Sequence, residues 1–148
     1  MNESTEKPYF DLTMEEIQAL GQEERKERMH EDAQRRLEAA TKGVIRLLRP
    51  MKSRGEDITE LHYDFAALTN QDFISCMDAD RGNRDRNSIS RAQALKLYYR
   101  MHNKVERPIS GLDERDLNEQ ASIADTEAMT EKATNFFIWL KLAAMTTS

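Results

Sequence analysis

The chain is poor in the residues that cross-link or punctuate a fold: among 148 residues there are one cysteine, three prolines, five glycines and one tryptophan. A lone Cys76 rules out an intrachain disulfide and points to a reducing interior. Long apolar runs are missing as well. The longest aromatic and aliphatic stretch, residues 136–140, is far too short to cross a bilayer, and the opening MNESTEKPYF has no apolar signal core. A cytoplasmic protein without a membrane segment is therefore expected. Positive charge is not in excess: the net charge is −5 and the sequence pI about 5.3, a poor balance for general nucleic-acid binding.

Catalytic and metal signatures are also lacking. No phosphate loop, dinucleotide glycine fingerprint or serine elbow is found. His30-Glu31 begins a zinc-protease spacing, but Gln34 stands where the second histidine belongs. Asp78, Asp80 and Gly82 suggest a calcium loop, yet Asn83 and Ile89 occupy the places that need glycine and glutamate. Residues 78–88 then read as a solvated loop. The three histidines, His30, His62 and His102, fall in three different predicted elements, and Cys76 beside Ile74 and Met77 reads as a small buried hydrophobe. No catalytic residue, cofactor or metal site is expected.

What is there is mainly helix, built around one hairpin. Residues 44–48 and 59–65 carry the only strand signals. In the second run Leu61, Tyr63 and Phe65 leave one face while Glu60, His62 and Asp64 leave the other. Pro50 ends the first strand, and residues 51–57, with Gly55, form the connection. The second strand runs into Thr69 and Asp72, a variant capping box flanked by Leu68 and Phe73 as a hydrophobic staple. A two-stranded hairpin is marginal in water, so helices must cover its apolar face.

The remaining helices announce themselves by caps. Residues 1–12 read as a mobile N-terminus. Thr13 and Glu16 form a capping box that starts a helix at Met14, and residues 13–41 continue as a charged helical arm with i,i+4 pairs Glu24/Arg28, Glu31/Arg35 and Asp32/Arg36. Its stripe of Met29, Ala33, Leu37 and Ala40 is narrow, which predicts a projecting or loosely docked arm. Residues 42–148 form the hairpin-plus-helices domain. There Phe73, Ile74 and Met77 point inward from one helix. Ser90 and Gln93 open another, ending near Met101, whose Leu95, Tyr98, Tyr99 and Met101 face the core. Residues 103–111 are a linker, Asp113 and Asp116 cap a short helix, and Ser122 and Asp125 cap the last. The expected fold is α+β, mainly helical: an N-terminal arm, one antiparallel hairpin and about four helices packing on it.

Two features suggest binding. Lys42, Arg46, Arg49, Lys52 and Arg54 give the hairpin five cations with no acid before Glu56, a field for an acidic partner or a charged guard on a strand edge. The last helix is apolar nearly all round. Met129, Ala133, Phe136 and Leu140 are assigned inward, leaving Phe137, Trp139 and Leu142 to meet another copy or a partner.

The order of elements resembles the tail assembly chaperones of long-tailed bacteriophages. The likeness rests on Leu47, Pro50, Gly55, Ile58, Glu60, Leu61, Tyr63, Phe65, Leu68, Thr69 and Asp72, and on Ser122, Asp125, Phe136 and Phe137. The charged arm before the hairpin and the charged 78–88 loop depart from the family. The resemblance implies a non-catalytic, cofactor-free chaperone in the host cytoplasm. Such a protein coats the aggregation-prone helices of the tape measure protein, helps recruit tail tube subunits, and is absent from the finished virion. Competing readings are a small nucleic-acid-binding regulator using the cationic hairpin and a minor structural tail protein.

Overall fold

A computed structural model describes residues 7–83, 88–106 and 111–146. The fold is α+β and mainly helical, with a two-stranded antiparallel sheet. The helices are α1 (Met14–Gln18), α2 (Gln22–Thr41), α3 (Asn70–Met77), α4 (Arg91–Glu106), α5 (Glu114–Gln120) and α6 (Ile123–Thr146); the strands are β1 (Lys42–Ser53) and β2 (Glu56–Asp64). Among the described residues no helix is long and apolar enough to cross a membrane. The chain divides into two compact units, residues 40–137 and residues 1–39 with 138–148, so α6 contributes to both.

The larger unit is built on the hairpin. Leu61, Tyr63 and Phe65 are buried, as the alternation requires. Tyr63 and Phe65 pack edge-on to the fully buried Tyr98 of α4, and Phe65 stacks on Phe136 of α6 with centroids 4.2 Å apart. Gly43 is needed opposite Tyr63, because a Cβ there would lie 2.7 Å from the phenol oxygen.

The first strand is longer than expected. β1 does not stop at Pro50 but continues to Ser53, and a two-residue turn, Arg54-Gly55, closes the hairpin in place of a 51–57 loop. Both turn residues have positive φ, 50° and 82°, the twist that suits right-handed strands. Pro50 is accommodated because the register slips there: pairing passes from Arg46↔Glu60 to Met51↔Ile58, leaving residues 47–50 opposite Thr59 alone. In that irregular stretch the backbone amides turn to side chains. Leu48 and Arg49 donate to the two carboxylate oxygens of Asp125, at 2.8 and 3.1 Å. Lys52 donates to Gln120 Oε1 and accepts from Gln120 Nε2, at 2.8 and 2.7 Å. Buried Ser53 donates to Asp116 and accepts from the Asp113 amide, both at 2.8 Å. α5 and the start of α6 thus satisfy β1 much as a third strand would.

The capping boxes form at Thr13/Glu16, Thr69/Asp72 and Ser90/Gln93. In the last two predicted caps the first residue serves as expected, Asp113 accepting from the Arg115 amide and Ser122 from the Asp125 amide, but the carboxylates of Asp116 and Asp125 serve β1. α4 runs on to Glu106, past the expected end near Met101, and its buried face is Ala94, Leu97, Tyr98 and Met101, with Leu95 and Tyr99 half-buried. On α3, Cys76 is fully buried while Ile74 faces outward. Residues 84–87, within the predicted charged loop, and residues 107–110, within the predicted linker, lie outside the described residues, as do residues 1–6 of the predicted mobile terminus.

In the smaller unit the described part of that terminus is anchored. Residues Tyr9–Asp11 form a 3-10 turn with Tyr9 buried, and the Phe10 amide donates to Asp32 Oδ2 at 2.9 Å. Asp32 is 2% exposed and also accepts from Arg36 Nε at 3.2 Å, so this i,i+4 pair is a buried node and not surface decoration. Arg36 reaches Asp11 at 3.0 Å and lies over the Trp139 ring at 5.0 Å. Trp139 meets Phe10 edge-on at 5.0 Å, and His30 on α2 hydrogen-bonds Thr146 at 3.0 Å. The arm has more to bury than its aliphatic stripe: Ala33 is fully buried beside Asp32.

Candidate interaction surfaces

The five cations picked out from the sequence all lie on β1 or its turn, and the register brings acids against most of them. Lys42 pairs with Asp64 across the strands, Arg46 with Glu60 and Lys52 with Asp57. Ion-pair distances are 3.8 Å for Arg46–Glu60, 3.9 Å for Lys52–Asp57 and 3.4 Å for Arg54–Asp113. The Arg49 amide is held by Asp125. The three ion pairs are exposed and each is weak, and they set an acid against three of the five cations. What remains exposed on this face of β1 includes Val44 and Leu48, so the hairpin presents a mixed surface.

The C-terminal helix differs from its expected orientation. Met129, Ala133 and Phe136 are buried as assigned, but Leu140 is 42% exposed. The buried stripe reaches Ala143 through half-buried Trp139, stepping three residues from Phe136 instead of four. Phe137 is half-buried against Phe65, Phe73 and Phe136 in the larger unit, Trp139 is held by Phe10 and Arg36 in the smaller, and Leu142 is half-buried. The large apolar side chains left outward on α6 are Ile123 at its start and Ile138, Leu140 and Met145 in its last turns.

A third cluster was missed. β2 and α4 bring together two of the three histidines, with ring centroids 6.1 Å apart. The His62 amide donates to His102 Nδ1 at 3.1 Å, so neutral His102 carries its proton on Nε2. His102 is 4% exposed, and burial, then the neighbouring His62, holds its pKa below the ordinary histidine value. The His62 ring lies between two carboxylates, Glu106 at 3.1 Å from Nδ1 and Glu60 at 3.5 Å from Nε2. Beside the pair is an open cleft of about 230 Å³ lined by residues 56–60, His62, His102 and Glu106. The signal was present: Glu60 and His62 share one strand face, and His102 and Glu106 are one helical turn apart. Only the pairing of β2 with α4 could not be read from either.

Among the described residues no group of three or more histidine, cysteine or acidic side chains is arranged to hold a metal ion. The Cys76 thiol is pushed up to about 11 by burial, which keeps it protonated and unreactive. Asp72, 8% exposed, is held well below the usual carboxylate range, first by Lys104, then by the Thr69 amide; Arg100 completes the group at 3.2 Å. Its partners are cap and ion pair, which makes it a structural carboxylate. The chain matches no family model, no curated protein and no solved structure.

Proposed function

We propose that the protein is a non-catalytic tail assembly chaperone of a long-tailed phage, acting in the host cytoplasm on the tape measure protein and helping to bring tail tube subunits to it. The observation that carries this reading is the outward apolar surface of the last turns of α6, where Ile138 and Leu140 are 38% and 42% exposed and Met145 68%. Such a surface suits a partner helix with its own apolar stripe, and methionine adapts to varied shapes. The hairpin leading into a Thr69/Asp72-capped helix, the segment on which the resemblance rests, adds support. The nucleic-acid alternative is weakened by Glu60, Asp57 and Asp113, which pair with three of the hairpin's five cations.

The test is co-expression with the tape measure and tail tube proteins from the same tail gene cluster, followed by pull-down. The intact chain keeps the tape measure protein soluble and co-purifies with it, while Ile138→Glu with Leu140→Glu loses it at unchanged circular dichroism. Recovery of equal tape measure protein with the double variant, or of none with the intact chain, overturns the reading.

A further inference from the structure

The cleft beside the histidine pair lies along an open strand edge. Among the described residues β2 has a strand neighbour on one side only. An amide in an antiparallel strand points either toward its partner or away from it, and that of His62 points to His102, so His102 sits on the side away from β1. The cleft touches every residue from 56 to 60 in succession, and neighbours in a strand face opposite ways, so it follows the backbone edge and not one face. His102 closes this edge at residue 62, its Nδ1 standing where a neighbouring strand would place a carbonyl. His102 is 4% exposed and lines the cleft, and its Nε2–H has no hydrogen-bond partner among the described residues.

We propose that this edge is a docking groove for an extended, cationic peptide segment of a partner protein, which adds alongside residues 56–60 as a third strand. Backbone hydrogen bonds to the edge supply the binding, and alternate side chains supply the selectivity. The sign is set by the lining, where Glu56, Asp57, Glu60 and Glu106 are the charged side chains. Arg46 and Lys52 approach Glu60 and Asp57 only at 3.8 and 3.9 Å from exposed positions, so they yield readily to a better-placed cation. His102 Nε2–H donates to a peptide carbonyl at the closed end of the groove. The proposal is independent of the chaperone reading, which places a helix against α6.

The test uses the full chain and fluorescein-labelled short peptides followed by anisotropy. One alternates lysine and valine, one alternates glutamate and valine, and one repeats the lysine sequence with N-methylated backbone amides. The lysine peptide is expected to bind and to shift the amide resonances of residues 57–62, and the glutamate peptide to stay free. The N-methylated peptide and the variant Glu60→Gln with Glu106→Gln are expected to bind about tenfold more weakly or worse. Both substituted side chains are 38% exposed or more, and circular dichroism checks that the fold is kept. Equal binding by the N-methylated peptide, equal binding by the double variant, or no shift along β2 overturns the proposal.

Discussion

Single side chains in the larger unit divide into those that fill space and those that hold a proton. Leu61 is of the first kind: it is fully buried at the centre of β2. Leu61→Ala leaves a cavity the sheet cannot close and is expected to cost roughly 2–4 kcal/mol, read as a lowered denaturant midpoint at unchanged slope. His102 is of the second kind. Burial and His62 lower its folded pKa beneath the unfolded value of about 6.5, while Glu106 opposes the shift. A histidine depressed in this way contributes stability that is complete above the unfolded pKa and is lost as pH falls through the folded one, because the unfolded chain takes up the proton first. The protein is therefore expected to melt at lower temperature as pH falls from 7 toward 5. His102→Asn, whose amide oxygen can take over the bond from the His62 amide, should flatten that slope. An unchanged slope in the variant would show that His102 does not set it.

Elements were legible wherever their signals were local. The boxes at Thr13, Thr69 and Ser90 need only residues three apart, so spacing sufficed to place three helix starts. The alternation of Leu61, Tyr63 and Phe65 settled the buried face of β2 for the same reason. β1 was read too short because its second half depends on residues far along the chain: the Asp125 carboxylate that holds its amides lies 77 positions beyond Leu48. Nor could the spacing of Ser122 and Asp125 reveal that the aspartate faces away from its own helix. Asp125 is 2% exposed and its removal strands two amides, so Asp125→Ala is expected to cost about 2–4 kcal/mol, more than an ordinary cap. Asp125→Asn keeps one acceptor oxygen and should cost about half as much. Faster hydrogen exchange at Leu48 and Arg49 in both variants, ahead of residues 42–46, would show the damage to be local to the bulge. The histidine cluster escaped notice on the same grounds, since His62 and His102 are 40 residues apart and meet through the packing of α4 on β2.

At the scale of the molecule, the sequence suggested an arm standing before a self-contained domain, whereas the compact units cut α6 and join its last turns to the N-terminal segment. Composition could not show this, because the joining contacts use residues that read as surface: Asp32 and Arg36 within a charged run, and Phe10 next to a proline-bearing terminus. Trp139 records the arrangement, being the chain's one tryptophan and packed on Phe10 and Arg36. Deleting residues 1–36 removes both partners while leaving untouched the core around Leu61, Phe65, Tyr98 and Phe136, which lies wholly within residues 40–137. The truncated chain is therefore expected to keep a cooperative melting transition. Its tryptophan emission should move to longer wavelength, and acrylamide should quench it more strongly, as the indole becomes wetted. An indole newly exposed beside Ile138 and Leu140 enlarges an apolar patch, so the truncation is also expected to self-associate at concentrations where the intact chain does not. The single change Trp139→Ala in the full chain separates the two effects. It should loosen residues 7–39 to proteolysis yet leave the Tyr63 and Tyr98 near-ultraviolet signal unchanged. Should truncation abolish the cooperative transition, the hairpin core would depend for its stability on residues 1–36.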